Sequence, residues 1–180
     1  MVYLDDFFWI LMAIFATIGL FRGAAREMLV GIAVLLALFF TSLLESSVSF
    51  VGETLAQAAN GMGLFYFRSM ILAVMVFFGY QTPYRGRLPL KQKISANENI
   101  ERLLGIFIGA VNGFLIVGTL WYFMHEANYP IEMILPPPTD GERGESIQKM
   151  LQSLPPNWLE PPTIYFAIAI GLAVILVMFV

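Results

Sequence analysis

Five apolar runs dominate this chain: Tyr3–Phe21, Met28–Leu44, Leu64–Tyr80, Leu103–Met124 and Thr163–Val180. A helix needs about 20 residues, at about 1.5 Å each, to cross roughly 30 Å of hydrocarbon, and these runs are near that length. No water meets backbone N–H or C=O groups there, so such a run must close its own hydrogen bonds as a helix. The apolar residues fill the runs on all sides instead of recurring on one face. Composition agrees, with 58% hydrophobic and 13% charged residues, where a soluble domain carries about 25% charged. The expected fold is all-α, a polytopic integral membrane helix bundle of about five transmembrane helices with short amphipathic helices on the outer side. It divides into a four-helix membrane domain over 1–125, a Pro-rich extracytoplasmic segment over 126–162, and an additional C-terminal membrane helix over 163–180.

The connections set the expected orientation. Arg22 and Arg26 follow the first run, and Arg85, Arg87, Lys91, Lys93 and Arg102 follow the third. The segment 45–63 has no basic residue, and 127–162 has only Arg143 and Lys149. Ten of the thirteen acids, including Asp5, Asp6 and Glu126, lie on this second side. The positive-inside rule places both basic connections in the cytoplasm, the N-terminus outside and, with five spans, the C-terminus inside. The start of the chain, with Asp5 and Asp6 and no small-x-small site before Arg22, does not read as a cleavable signal peptide.

The stretch "GLFRGAAREML", Gly19–Leu29, interrupts what could be one long apolar segment. Arg22 falls at the partially negative end of the first helix and Glu27 at the partially positive start of the second, with Gly23 placed as a left-handed C-terminal cap. The spacing predicts a tight cytoplasmic turn between antiparallel helices.

Outside the spans, Val48, Val51, Leu55 and Ala59 share a helical face suited to resting on the outer leaflet. Ile147, Met150, Leu151 and Leu154 predict a short amphipathic helix. "LPPPTDG" and "LPPNWLEPP" read as extended polyproline spacers.

Within the fourth run, Gly105, Gly109 and Gly113 recur every four residues and so lie on one helical face, which lets a second backbone approach closely. Packing against another span of the same chain is the ordinary use of such a face; a homo-oligomer interface is the other. Gly118, rotated about 140° from Gly113, is expected to tolerate a side chain. Asn112 sits beside the stripe and is expected to bond to a neighbouring helix. Asp5 and Asp6 suit a helix N-terminus; an ion pair would draw on Arg68, the basic group expected at their depth. His125 is the only histidine and reads as an interfacial residue. There is no cysteine, which excludes disulfides and thiolate chemistry. Nucleophile elbows, phosphate loops and zinc spacings are missing, as are mid-membrane carboxylates. The few basic residues do not interleave with aromatics as in nucleic-acid binders. The expectation is a non-enzyme without cofactor, whose partners are the lipid bilayer and other membrane subunits or further copies of itself.

An aspartate before the first run, then "GLFRGAAREM", then "ERLLGIFIGAVNGFLIVG" together resemble the colicin V production (CvpA) family of bacterial inner-membrane proteins. The turn matches a G-x-x-R-G-x-x-R-E pattern at Gly19, Arg22, Gly23, Arg26 and Glu27. The later segment matches R-x-x-G-x-x-x-G-x-x-R-G at Arg102, Gly105, Gly109 and Gly113, with Asn112 in place of arginine. The resemblance covers roughly residues 1–125. It implies a protein of the bacterial cytoplasmic (inner) membrane associated with colicin V production or export and with envelope maintenance. From the chain's own features the alternative is a structural accessory subunit of a larger, energy-transducing membrane complex.

Overall fold

The computed structural model describes residues 2–55, 57–81, 98–138 and 140–179. Arg85, Arg87, Lys91 and Lys93, on which half of the charge argument rests, lie outside the described residues. Among the described residues, four helices are long and apolar enough to cross a membrane: α1 (Leu4–Arg22), α2 (Ala24–Ser47), α3 (Met62–Gln81) and α4 (Glu98–Glu126). The chain is a multi-pass membrane protein with an all-α bundle. The last apolar run forms a shorter helix of 17 residues, Thr163–Phe179, about 25 Å long at 1.5 Å per residue.

The helices alternate in direction, which gives the bundle a turn end, where α1 meets α2, and an acidic end, which gathers Asp5, Asp6, Glu45 and Glu126. One core lies where Val30, Val34 and Leu38 of α2 meet Leu72 of α3 and Leu115 and Phe123 of α4. Although joined by a single residue, α1 and α2 are not the main packing pair: α1 runs along α4, and α2 packs on α3 and α4. The expected tight hairpin is therefore tight only at the turn. Small residues explain the choice, because Gly19 and the α4 glycines let those two backbones touch, and close approach is what drives association where lipid is as apolar as leucine.

At the acidic end, 127–162 folds back over the bundle. Val2–Tyr3 (β1) pairs in parallel with Ile134–Leu135 (β2), a bridge with no sequence signal of its own. The amphipathic helix forms as α5 (Gly141–Gln152). Its Ile147 and Leu151, with Leu154 just beyond, bury against Phe8 of α1 and Val117 and Trp121 of α4. Each such side chain withdrawn from water contributes about 1.5–3 kcal/mol.

Two expectations are corrected here. "LPPNWLEPP" is not an extended spacer, because Pro155–Trp158 forms a helical turn, α6. Proline is well suited to a first helical position, where its missing N–H has no partner to lose. The stretch after α2 is not one leaflet-resting helix either. It breaks into a π-helical turn, Phe50–Leu55, and a 3-10 turn, Ala58–Gly61. Val51 is buried while Val48 is exposed, so the expected shared face does not exist. Gly52 lies against the Glu45 carbonyl, an approach that turns the chain back onto the end of α2. The final helix, α7 (Thr163–Phe179), lies against α2.

Candidate functional site: three polar clusters of the bundle

The turn is Gly23 alone. Its φ of +82° and ψ of 160° show the expected positive φ but an extended ψ, a combination open to glycine and costly for residues with a Cβ. Its N–H donates to the Gly19 carbonyl at 2.9 Å, and the Gly23 carbonyl accepts from Glu27 N–H at 3.2 Å. The Glu101 side chain occupies the space a Cβ would need, with Oε1 at 2.9 Å.

This geometry sends Arg22 inward. Its Nε donates to Glu27 Oε1 at 2.8 Å, and Nη1 donates to the Tyr80 carbonyl at 3.2 Å. The guanidinium also lies 4.6 Å from the centroid of the Tyr80 ring. One arginine thus joins the end of α1, the start of α2 and the C-terminal end of α3, where helix carbonyls lack partners and a cation is favoured. Glu27 is 0% exposed, more deeply placed than a helix-start residue need be. Asn112 Nδ2 donates to the Glu27 carbonyl at 2.8 Å and to Glu27 Oε2 at 2.9 Å. Both carboxylate oxygens are therefore occupied, as burial of a charge demands. Gly31 makes room for this, since a Cβ there would sit 2.9 Å from Asn112 Oδ1.

The glycine stripe lies beside this cluster and packs within the chain. A Cβ on Gly19 would run into the Gly105 carbonyl, and one on Gly105 into the Gly19 carbonyl. Gly109 faces the Phe15 carbonyl at 2.5 Å and Gly113 the Phe15 Cβ at 2.8 Å from the place a Cβ would take. Gly118 does not behave as its rotation suggested. Its position meets Pro155 Cδ at 2.8 Å, because α6 closes over the opposite face of α4. Arg26 is half-buried, and Arg102 is exposed with Nη2 3.6 Å from Glu98 Oε1. Both line a cavity of about 170 Å³ with Glu98 and Glu101.

The second cluster is at the acidic end. Arg68 is 16% exposed and lies between two carboxylates. Nε donates to Glu45 Oε1 at 2.6 Å, Nη2 to Glu45 Oε2 at 2.7 Å, and Nη1 bonds to Glu126. Its guanidinium lies over the Phe123 ring, and Tyr122 O–H donates to the other oxygen of Glu126 at 3.1 Å. A charge this far inside α3 is tolerated because it is fully paired and close to the end. The idea that Arg68 answers Asp5 and Asp6 is thus overturned.

Those aspartates form the third cluster with Arg143. Nη2 of Arg143 donates to Asp5 Oδ2 at 2.8 Å and to Asp6 Oδ1 at 2.9 Å. The guanidinium lies 4.9 Å from the Tyr3 ring centroid. Hydrogen bonds to Asp5 and then Asp6 push the Arg143 pKa up, so it stays charged. Nearby, Trp121 Nε1 donates to the Tyr129 hydroxyl at 3.2 Å, and His125 Nδ1 lies 3.3 Å from the same oxygen. Burial raises the Tyr129 pKa above the usual phenol range. Among the described residues, no three His, Asp or Glu side chains come together as a metal site.

No family model, curated protein or solved structure matches the chain. The clusters must therefore be read from their own chemistry. Glu45, Glu126, Tyr80 and Arg143 are residues that sequence reasoning did not place in them. Glu45 and Glu126 each had a usable signal, a carboxylate at a helix end level with an arginine in the neighbouring span. Arg143 had none, since its partners lie 137 and 138 residues away.

Proposed function

We propose that this chain is a non-enzymatic, CvpA-like protein of the bacterial cytoplasmic membrane that supports colicin V-type toxin export and envelope maintenance. In this reading the turn end faces the cytoplasm, the acidic end faces outward, α7 makes a fifth crossing, and the C-terminus is inside. One observation carries it. The two stretches behind the resemblance, Gly19–Glu27 and Arg102–Gly113, meet as one unit, with Gly19 against Gly105 and Gly109 and with Glu27 bonded to Asn112. Asn112 stands where the family pattern has arginine, and its amide holds the two stretches together through Glu27. The charged side chains Arg22, Glu27 and Arg68 are paired with groups of neighbouring helices, which suits a scaffold better than a transport path. The experiment is removal of the chain from its host, scored for release of a colicin V-type peptide toxin and for survival under envelope stress. The reading expects both to fall and to recover with the wild-type chain; unchanged release and survival would overturn it.

A second reading, an accessory subunit of a larger membrane complex, is favoured by α7. That helix lies against α2 and turns Phe166, Ile170, Leu172 and Leu176 outward, a face open to lipid or to another subunit. Mild extraction followed by the mass of the intact particle decides between them. A particle of this chain alone favours the first reading, and co-purification in a stoichiometric complex favours the second.

A further inference from the structure

Between the acidic ends of α2, α3 and α4 and the residues around α6 lies an open cleft of about 480 Å³. That size falls within the roughly 300–1,000 Å³ typical of small-molecule sites. We propose that this cleft binds a protonated amine carried on an apolar body.

Three features point to that chemistry. The cleft holds Glu45, Glu126 and Glu160 against Arg68 alone, an excess of two negative charges when all are ionised. The Arg68 charge is already matched, because Nε, Nη1 and Nη2 each donate an N–H to a carboxylate. Glu160 is the open acceptor. It is exposed, and its carboxylate takes part in no hydrogen bond or ion pair among the described residues. The rest of the lining is mixed, with apolar Leu38, Pro156 and Pro161 beside the hydroxyl side chains of Thr41, Ser42 and Ser46. A cation with a hydrocarbon or aromatic body satisfies both parts, its ammonium hydrogens reaching Glu160 and the free lone pairs of Glu126, with the Tyr122 ring beside them. A bare divalent metal fits less well, since the carboxylates do not converge as a metal-ligating group among the described residues. Free amphipathic amines and the ammonium of an aminophospholipid headgroup share this chemistry.

The test uses the full chain in lipid nanodiscs and fluorinated octylamine, octanol and octanoate as probes, read by fluorine NMR against protein-free discs. In phosphatidylcholine discs octylamine should bind about ten-fold more tightly than octanol, the scale of one charge-assisted hydrogen bond, and octanoate should show no site. Glu160→Gln should remove most of that preference while leaving the melting temperature unchanged, because Glu160 supports no other group. Discs containing phosphatidylethanolamine separate the sources. Weaker apparent octylamine binding there assigns the site to the lipid headgroup, and unchanged binding assigns it to a free amine. Equal binding of octylamine and octanol, or a Glu160→Gln variant with wild-type preference, would overturn the proposal.

Discussion

Replacing Gly109 with alanine perturbs the middle of the α1–α4 seam. The added Cβ would sit 2.5 Å from the Phe15 carbonyl oxygen and 3.0 Å from the Gly19 Cα. Both are backbone atoms, so no side chain can rotate out of the way. To restore an ordinary contact of about 3.4 Å, α1 must retreat by about 0.9 Å, a gap that forfeits a quarter to a half of each dispersion contact along the seam. Overpacking of this kind costs about 1–3 kcal/mol, and about 2 kcal/mol is expected here. The control is Gly171→Ala in α7, whose Cβ would meet Ile32 Cγ1 at 3.4 Å. That contact is ordinary, and alanine's better helix propensity makes the change neutral or stabilising by up to about 1 kcal/mol. Gly118→Ala falls between, at about 1 kcal/mol, because its obstacle is the Pro155 ring rather than backbone. Unfolding in detergent by heat or denaturing surfactant gives the order. If Gly109→Ala and Gly171→Ala melt alike, backbone contact between α1 and α4 is not what holds the bundle.

Other outcomes follow from the polar clusters. Glu27→Ala should cost about 3–5 kcal/mol, since it removes the carboxylate that Arg22 and Asn112 share and leaves each with a single backbone carbonyl; a double-mutant cycle with Asn112→Ala should show coupling of about 0.5–3 kcal/mol, and additive losses would refute the shared bond. Arg143→Ala should speed proteolysis of 127–162 at low salt and make little difference at high salt, where an exposed ion pair is screened anyway. The raised pKa of Tyr129 means its neutral form is favoured by folding, so this contribution is complete below pH ~10 and is lost as pH climbs through the raised value. Absorbance titration of Tyr129→Phe should lack a phenol ionising above pH ~10, and loss of a normal phenol instead would contradict the burial. Single cysteines at Glu98 and Gln148 should label from opposite sides of intact cells, and labelling from one side would refute the proposed topology.

The spans were legible because hydrophobic length alone decides them, and α1 to α4 begin and end within a few residues of the apolar runs. The glycine stripe was legible because four residues nearly complete a turn, and Asn112 because an amide in a span needs a partner. What periodicity cannot supply is the partner's identity. It marked Gly105, Gly109 and Gly113 as a face but not Phe15 and Gly19 as what meets it. It leaves Gly118 off the stripe but says nothing of α6, whose Pro155 closes over that other face of α4. Glu27 looked like a helix-start charge, and only the three-dimensional meeting of α1, α2, α3 and α4 makes it a buried junction. Sequence depth offers Arg68 to Asp5 and Asp6, where the fold supplies Arg143, for the same reason: depth in a span is readable, but the return of the chain over the acidic end is not.

Because the natural chain has no cysteine, one crosslink tests the central claim that the turn stretch and the glycine segment form a single seam within one chain. Phe15→Cys with Gly113→Cys removes the ring, whose Cγ lies 3.2 Å from the Gly113 Cβ position, and starts the two Cβ atoms 2.8 Å apart, so that opening the seam by about 1 Å reaches the disulfide spacing of about 3.8 Å. An engineered protease site between α3 and α4 then reports the bond. After oxidation in native membranes, the two halves of a cleaved monomer should stay linked until reduced. Covalent dimers, or halves that separate without reductant, would contradict the account.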